Sequence, residues 1–265
     1  MKLYERNNRF TKTNEVLYGM TICSWSPSEA PEIYAALEHP NWAPWLEASV
    51  TSLAGRANIF PKGQLVMKDS IGNYMASLSL NQINWDGNKA HLPSWDDVAG
   101  DPTDYSQTYT KNGNTLVLLS MNVDPALKGL HLPSKMIAEA QKTATNLGAS
   151  HLIGSFRPSG YGEVKKGMPD LDFETYCLLK KCGSDKPLDH WLGSLWHLGM
   201  KMLAVDDKAM TVTVPIAEFE SYKKNDWKEI KSGIWECGEV GAWKVDSASG
   251  TATYQESNVW GSLPL

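Results

Sequence analysis

Apolar and polar positions along the chain follow either the helical or the strand period, and each stretch that keeps one period predicts one element. Val16 to Cys23 is an apolar, β-prone run behind a polar leader, and Ser26-Pro27-Ser28-Glu29 supplies the start of a helix through about Leu37. Trp42, Trp45, Leu46, Val50 and Leu53 recur at helical spacing between Pro40 and Ala54 and stop at Gly55, which predicts a second helix. Gln64 to Lys68 and Tyr74 to Asn84 read as two strands joined across Asp69-Ser70-Ile71-Gly72-Asn73 as a hairpin. From Trp85 to Gly113 no period is sustained and Asp, Gly, Pro, Ser and Asn dominate, so this is a long surface excursion of the kind that often carries function.

Leu116 to Val123 is almost continuously apolar and predicts a buried strand. Met136, Ile137, Ala140, Ala144 and Leu147 then fall on one helical face that ends at Gly148, and His151 to Phe156 is a further short strand. Strand, helix and strand in this compass form a βαβ-like unit. Downstream, a helix is expected between Leu171 and Lys181, followed by an amphipathic one through Leu188, Trp191, Leu192, Leu195 and Leu198, with Asp189 at its start. Met200 to Val205 and Met210 to Ile216 read as a hairpin turning at Asp206-Asp207-Lys208. Past Phe219, Trp227, Trp235, Trp243 and Trp260 lie among short β-prone pieces.

Bulk composition narrows the function classes. A chain of 265 residues, 42% hydrophobic and 21% charged, is that of a soluble globular protein. A net charge of -5 without any basic block argues against a nucleic-acid partner, and the absence of a long apolar run argues against a membrane. With a polar N-terminus, a cytoplasmic location is expected. Cys23, Cys177, Cys182 and Cys237 are too scattered for a disulfide scaffold, and the six histidines show no ligand spacing, so no metal is expected.

The chemistry-bearing stretch is Val123 to Lys135, where a buried strand feeds a turn and a helix N-terminus. Free backbone N–H groups and the positive end of the helix dipole converge there, as an anion site requires. The run NTLVLLSMNVDPALKGLHLPSKMI, with the element order β-α-α-β-β-β-α-β-α-β-β, resembles the GNAT acyltransferase superfamily. The resemblance covers roughly residues 14 to 217 and leaves 218 to 265 as a Trp-rich C-terminal extension packed on the same domain. It implies an α/β fold with a mixed, mostly antiparallel central sheet and helices on both faces. It also implies acetyl-CoA or another acyl-CoA as donor. Met121, Asn122 and Val123 would pair with the pantetheine arm like an added strand, and Lys128, Gly129, Leu130, His131, Leu132, Pro133 and Ser134 would cradle the pyrophosphate. His131 and Pro133 stand where the family pattern has glycines, so a Cβ crowds the phosphate and one amide donor is lost. Lys128, Ser134 and Lys135 can restore charge and hydrogen bonding.

By the same resemblance, an amine attacks the thioester directly while a base takes its proton. Ser120, Asp86 and Tyr105 are the leading catalytic candidates: Ser120 is a polar break in the buried strand, and the other two belong to the excursion with Asp96, Asp97, Asp101 and Asp104. Leu195 aligns with the tyrosine that protonates the leaving thiolate in many family members, and His197 is a substitute on the same helix. Arg157 at a strand end can pair with substrate or with a loop aspartate. The leading expectation is an N-acyltransferase acting on a small-molecule amine. The alternatives are a binding or regulatory module of the same fold, or an acyltransferase fed by an acyl carrier protein thioester. A second copy of the chain is a further candidate partner, as a homodimer.

Overall fold

In the computed structural model, which describes residues 19–100, 104–168 and 170–265, the apolar runs assemble into one mixed sheet of ten strands. β1 (Thr21–Ser24), β2 (Gln64–Lys68), β3 (Tyr74–Ile83) and β4 (Thr115–Val123) pair antiparallel in that order. β5 (His151–Phe156) then joins β4 in parallel. The expected hairpin forms, with Asp69 Oδ1 accepting from the Ile71 and Asn73 amides to close its turn. Val16, Leu17, Tyr18 and Asp101, also parts of the sequence reading, lie outside the described residues.

Alternation along β4 explains the layers. Leu116 and Leu118 pack into the cluster that holds Leu132, Met136, Ile137, Ala140 and Ala144, the apolar face of a long helix. Val117 and Leu119 instead meet Trp85, Val98 and Trp260 on the opposite face. Helices therefore cover both faces, as expected: α1 (Ala30–Ile33), α2 (Val50–Ile59) and α3 (Trp95–Ala99) come from the first part of the chain. α4 (Leu132–Asn146) is the crossover between β4 and β5, followed by α5 (Tyr161–Gly167), α6 (Phe173–Leu178) and α7 (His190–His197). Asp189 accepts from the Trp191 and Leu192 amides and caps α7 as its sequence position suggested.

Three expectations need correction. The second helix does not start at Pro40: Ser49 caps it, accepting from Ser52 N at 3.0 Å, and α2 runs on through Gly55 to Ile59. Trp42 and Trp45 therefore sit in turns, where their rings are free to face sideways. Met200 to Ile216 is not a hairpin but one 15-residue strand, β6 (Lys201–Pro215). Its polar middle is absorbed as an irregularity opposite β10 (Thr251–Leu263), where the register jumps between Glu256/Met210 and Asn258/Asp206. Nor is the C-terminal segment made only of short pieces: β10 lies inside the sheet, bonded to β6 along one edge and to β5 and β9 (Ala242–Asp246) along the other. β7 (Lys228–Lys231) and β8 (Ile234–Glu236) extend the sheet beyond β9, and α8 (Ile216–Tyr222) packs Phe219 over it.

A second core lies under that end. Trp243 and Tyr254 are fully buried, and Trp45 meets Trp227 and Trp243 edge to face at centroid distances of 5.4 and 5.6 Å. Trp45 thus ties the turn before α2 to the C-terminal strands.

Candidate active site

The β4–β5 pairing stops early. It holds from Thr115/His151 to Leu118/Gly154, after which β4 continues to Val123 without a partner on that side. The cause lies on the other edge, where Leu119 is an extra residue between the Ser79/Ser120 and Leu80/Leu118 pairs, a bulge that bends β4 away. A cavity of about 1070 Å³ occupies the resulting splay.

At one end, Lys128, Gly129, His131, Pro133 and Ser134 line the cavity beside the N-terminus of α4. No side chain caps that helix, so its first-turn amides remain available to an anion. His131 holds the left-handed conformation, with φ 56°, and Gly129 has φ 91°. The turn thus keeps the backbone shape a glycine would favour even where the residue is histidine. That conformation costs a non-glycine residue ~1–2 kcal/mol, so His131→Gly is expected to tighten anion binding with little loss of stability; weaker CoA binding in calorimetry would contradict this. Leu130 and Leu132 turn inward onto the core and are not part of the wall.

Along the splay, Ser120, Met121, Asn122 and Val123 all line the cavity. The Val123 carbonyl already accepts from Asn41 Nδ2 at 3.0 Å, which leaves less free strand edge than the sequence suggested. Asn122 is locked from both sides: its Nδ2 donates to Glu38 Oε2 at 2.5 Å and its Oδ1 accepts from Trp42 Nε1 at 2.7 Å.

The same cavity takes in a chamber walled by Trp42, Trp45, Trp95, Glu38, Glu47 and Asp96. Among the candidate carboxylates of the excursion, only Asp96 of the described residues reaches this wall. It accepts from Thr211 N at 2.8 Å, and burial, with the Asp206 and Asp97 charges, pushes its carboxyl up to about 6. Glu38 is 2% exposed, and burial raises its carboxyl too, against the Ala48 amide that Oε1 accepts at 2.8 Å.

The other candidates are placed differently. Asp86 lies outside the wall, holding the Asn88 amide and His91 Nδ1 at 2.8 and 2.7 Å on an exposed turn. Asp97 closes the capping box of α3 and Asp104 binds Ser106 and Gln107. Tyr105 lines the chamber, but its hydroxyl donates to the Leu80 carbonyl at 3.1 Å and burial holds its ionisation far above the usual range. Leu195 is fully buried in the core, and His197 contacts Lys186 on the surface. Arg157 pairs with Glu256 and Glu239 rather than with a loop aspartate. Glu38, Arg56, Ser155 and Asn258 are wall residues that the sequence reading did not select. For Glu38 and Arg56 a signal existed: each is a charge on an otherwise apolar helical stripe, beside Ile33 and Leu37 or Leu53 and Ala57.

Among the described residues no cluster of His, Cys, Asp and Glu could hold a metal, and no helix is long and apolar enough to cross a membrane. No protein-family model and no curated protein matches the chain. Solved structures do. The loading GNATL domain of CurA from Lyngbya majuscula superimposes with a TM-score of 0.61 at 14% identity, over 92% of this chain and 96% of that one. The GphF GNAT-like decarboxylase in complex with isobutyryl-CoA gives 0.59 at 21% identity, over 72% and 90%. Malonyl-CoA decarboxylase from Agrobacterium vitis gives 0.51 at 12% identity, over 72% and 55%. With its splayed β4–β5 pair, its α4 crossover and its mostly antiparallel sheet, this chain has the GNAT fold, carrying extra C-terminal strands.

Proposed function

We propose that this chain is an acyl-CoA-dependent N-acyltransferase that passes a short acyl group directly to the amine of a small molecule. The supporting observation is the continuity of one cavity from the uncapped N-terminus of α4, through the splay, to a chamber of tryptophans and carboxylates. The pyrophosphate lies at Lys128 and the α4 amides, the pantetheine arm runs along Met121 and Asn122, and the thioester reaches Ser120. Indole faces and carboxylates suit an ammonium group. Once the ammonium has lost a proton to solvent, the neutral amine nitrogen attacks the thioester carbon, Asp96 receives the second proton, the C–S bond breaks, and the departing thiolate takes a hydrogen bond from the Ser120 hydroxyl and a proton from solvent.

A second reading draws on Leu195. Leu195, which the resemblance aligns with the thiolate-protonating tyrosine, is buried in the core and off the cavity wall, which suits a reaction that leaves the thioester intact. Decarboxylation of a carboxyacyl thioester is such a reaction, and two proteins of similar fold are described as decarboxylases. Incubation with acetyl-CoA and an amine panel, monitored by free thiol, separates the two. Amine-dependent thiol release supports N-acyl transfer. Conversion of malonyl-CoA to acetyl-CoA without thiol release would replace it with the second reading.

A further inference from the structure

Two guanidinium groups line the cavity, and they are in opposite states. Arg157 is saturated: Nε donates to both oxygens of Glu256 at 2.9 and 3.0 Å, and Nη2 to Glu239 at 2.6 Å. Arg56 is 6% exposed, forms no ion pair with any described residue, and its Nη1 has no hydrogen-bond partner. Glu38 feels its charge, but the hydrogen bonds that Glu38 accepts come from Ala48 N and Asn122 Nδ2, not from Arg56.

We propose that Arg56 forms a carboxylate-recognition subsite in the chamber, so that one of the two substrates carries a carboxylate there. The proposal rests on the reading of this cavity as an acyl-CoA site. Placement supports it: Arg56 lies on the wall with Tyr105, Leu118 and Leu119, and the two leucines mark the point where β4 leaves β5. The guanidinium faces the Tyr105 ring, 5.9 Å from its centroid, and acts on Glu38, so it belongs to the chamber rather than to the Lys128 turn. A buried charged donor without an acceptor costs more than a neutral one, and a carboxylate matches the guanidinium fork better than any neutral group. Ser155 Oγ and Asn258 Oδ1, on the neighbouring strands β5 and β10, are also buried without partners and line the same cavity. They supply a hydroxyl and an acceptor for the remaining polar atoms of such a substrate.

The carboxylate can come from the acyl group, as in malonyl- or succinyl-CoA, or from an acceptor that is an amino acid. Calorimetric titration of the whole chain with acetyl-, malonyl- and succinyl-CoA tests the first source. Acylation of amino acids against their carboxamides with acetyl-CoA tests the second. The expected result is at least a tenfold preference for the carboxylated member in one arm, reduced towards one in Arg56→Gln and partly retained in Arg56→Lys. Binding of acetyl-CoA with no preference in either arm by the wild-type protein overturns the subsite alone. Failure of every acyl-CoA to bind overturns the subsite and the donor reading together.

Discussion

Replacement of Arg157 by methionine is expected to destabilise the fold by about 3–5 kcal/mol at neutral pH, because it strands the buried carboxylate of Glu256. The Glu256 side chain has no exposure, and burial already raises its carboxyl against the pull of Arg157 and the hydrogen bond from Tyr254. Without the guanidinium that carboxyl rises further. A group whose folded pKa exceeds its unfolded value stabilises the fold in acid and loses that contribution as pH rises through the folded pKa. The deficit of Arg157→Met should therefore be largest at neutral pH and shrink towards pH 4, and Arg157→Met/Glu256→Gln should recover most of it. Urea unfolding across pH would read this out; a deficit independent of pH would show that the loss is one of packing alone.

Asp96→Asn is expected to lower amine-dependent turnover by roughly 10²–10⁴-fold, the range for loss of a positioned general base. With its carboxyl pushed up to about 6, Asp96 is a base above that pH. At a fixed concentration of neutral amine, the wild-type rate should rise about tenfold per pH unit below 6 and level off above, and the variant should lose that limb. Stability separates this role from a structural one. Ionisation of Asp96 costs stability as pH rises through about 6, and asparagine keeps an acceptor for Thr211 N. The variant should thus be at least as stable as wild type at pH 7. A variant that is both unstable and inactive would point to a structural role.

Much of the fold was legible because it rests on local period. β2 and β5 keep the expected bounds, β3 ends one residue early, and α4 presents the apolar face its spacing dictates. Errors arose where tertiary contacts override local pattern. Trp42 and Trp45 repeat at helical spacing, yet the Ser49 cap and the aromatic cluster with Trp227 and Trp243 hold them in turns. Asp206-Asp207-Lys208 has turn chemistry, but Asp206 Oδ2 accepts the Trp95 amide and the strand runs through. The entrance of the site was legible because strand, turn and helix are contiguous. Its chamber was not, since α2, α3, β5, β6 and β10 contribute wall residues far apart in sequence. Asp86 and Asp96 look alike in composition, and only the packing of α3 against β6 separates them.

The proposed function requires that the splay between β4 and β5, with the N-terminus of α4, holds an acyl-CoA. Calorimetric titration of acetyl-CoA into the wild-type chain and into Lys128→Glu measures it most directly. Saturable binding at one site is expected, weakened at least tenfold by the charge reversal at the exposed Lys128, with the difference shrinking when the ligand lacks the pyrophosphate. Absence of binding, or equal affinity of the two proteins, would contradict it.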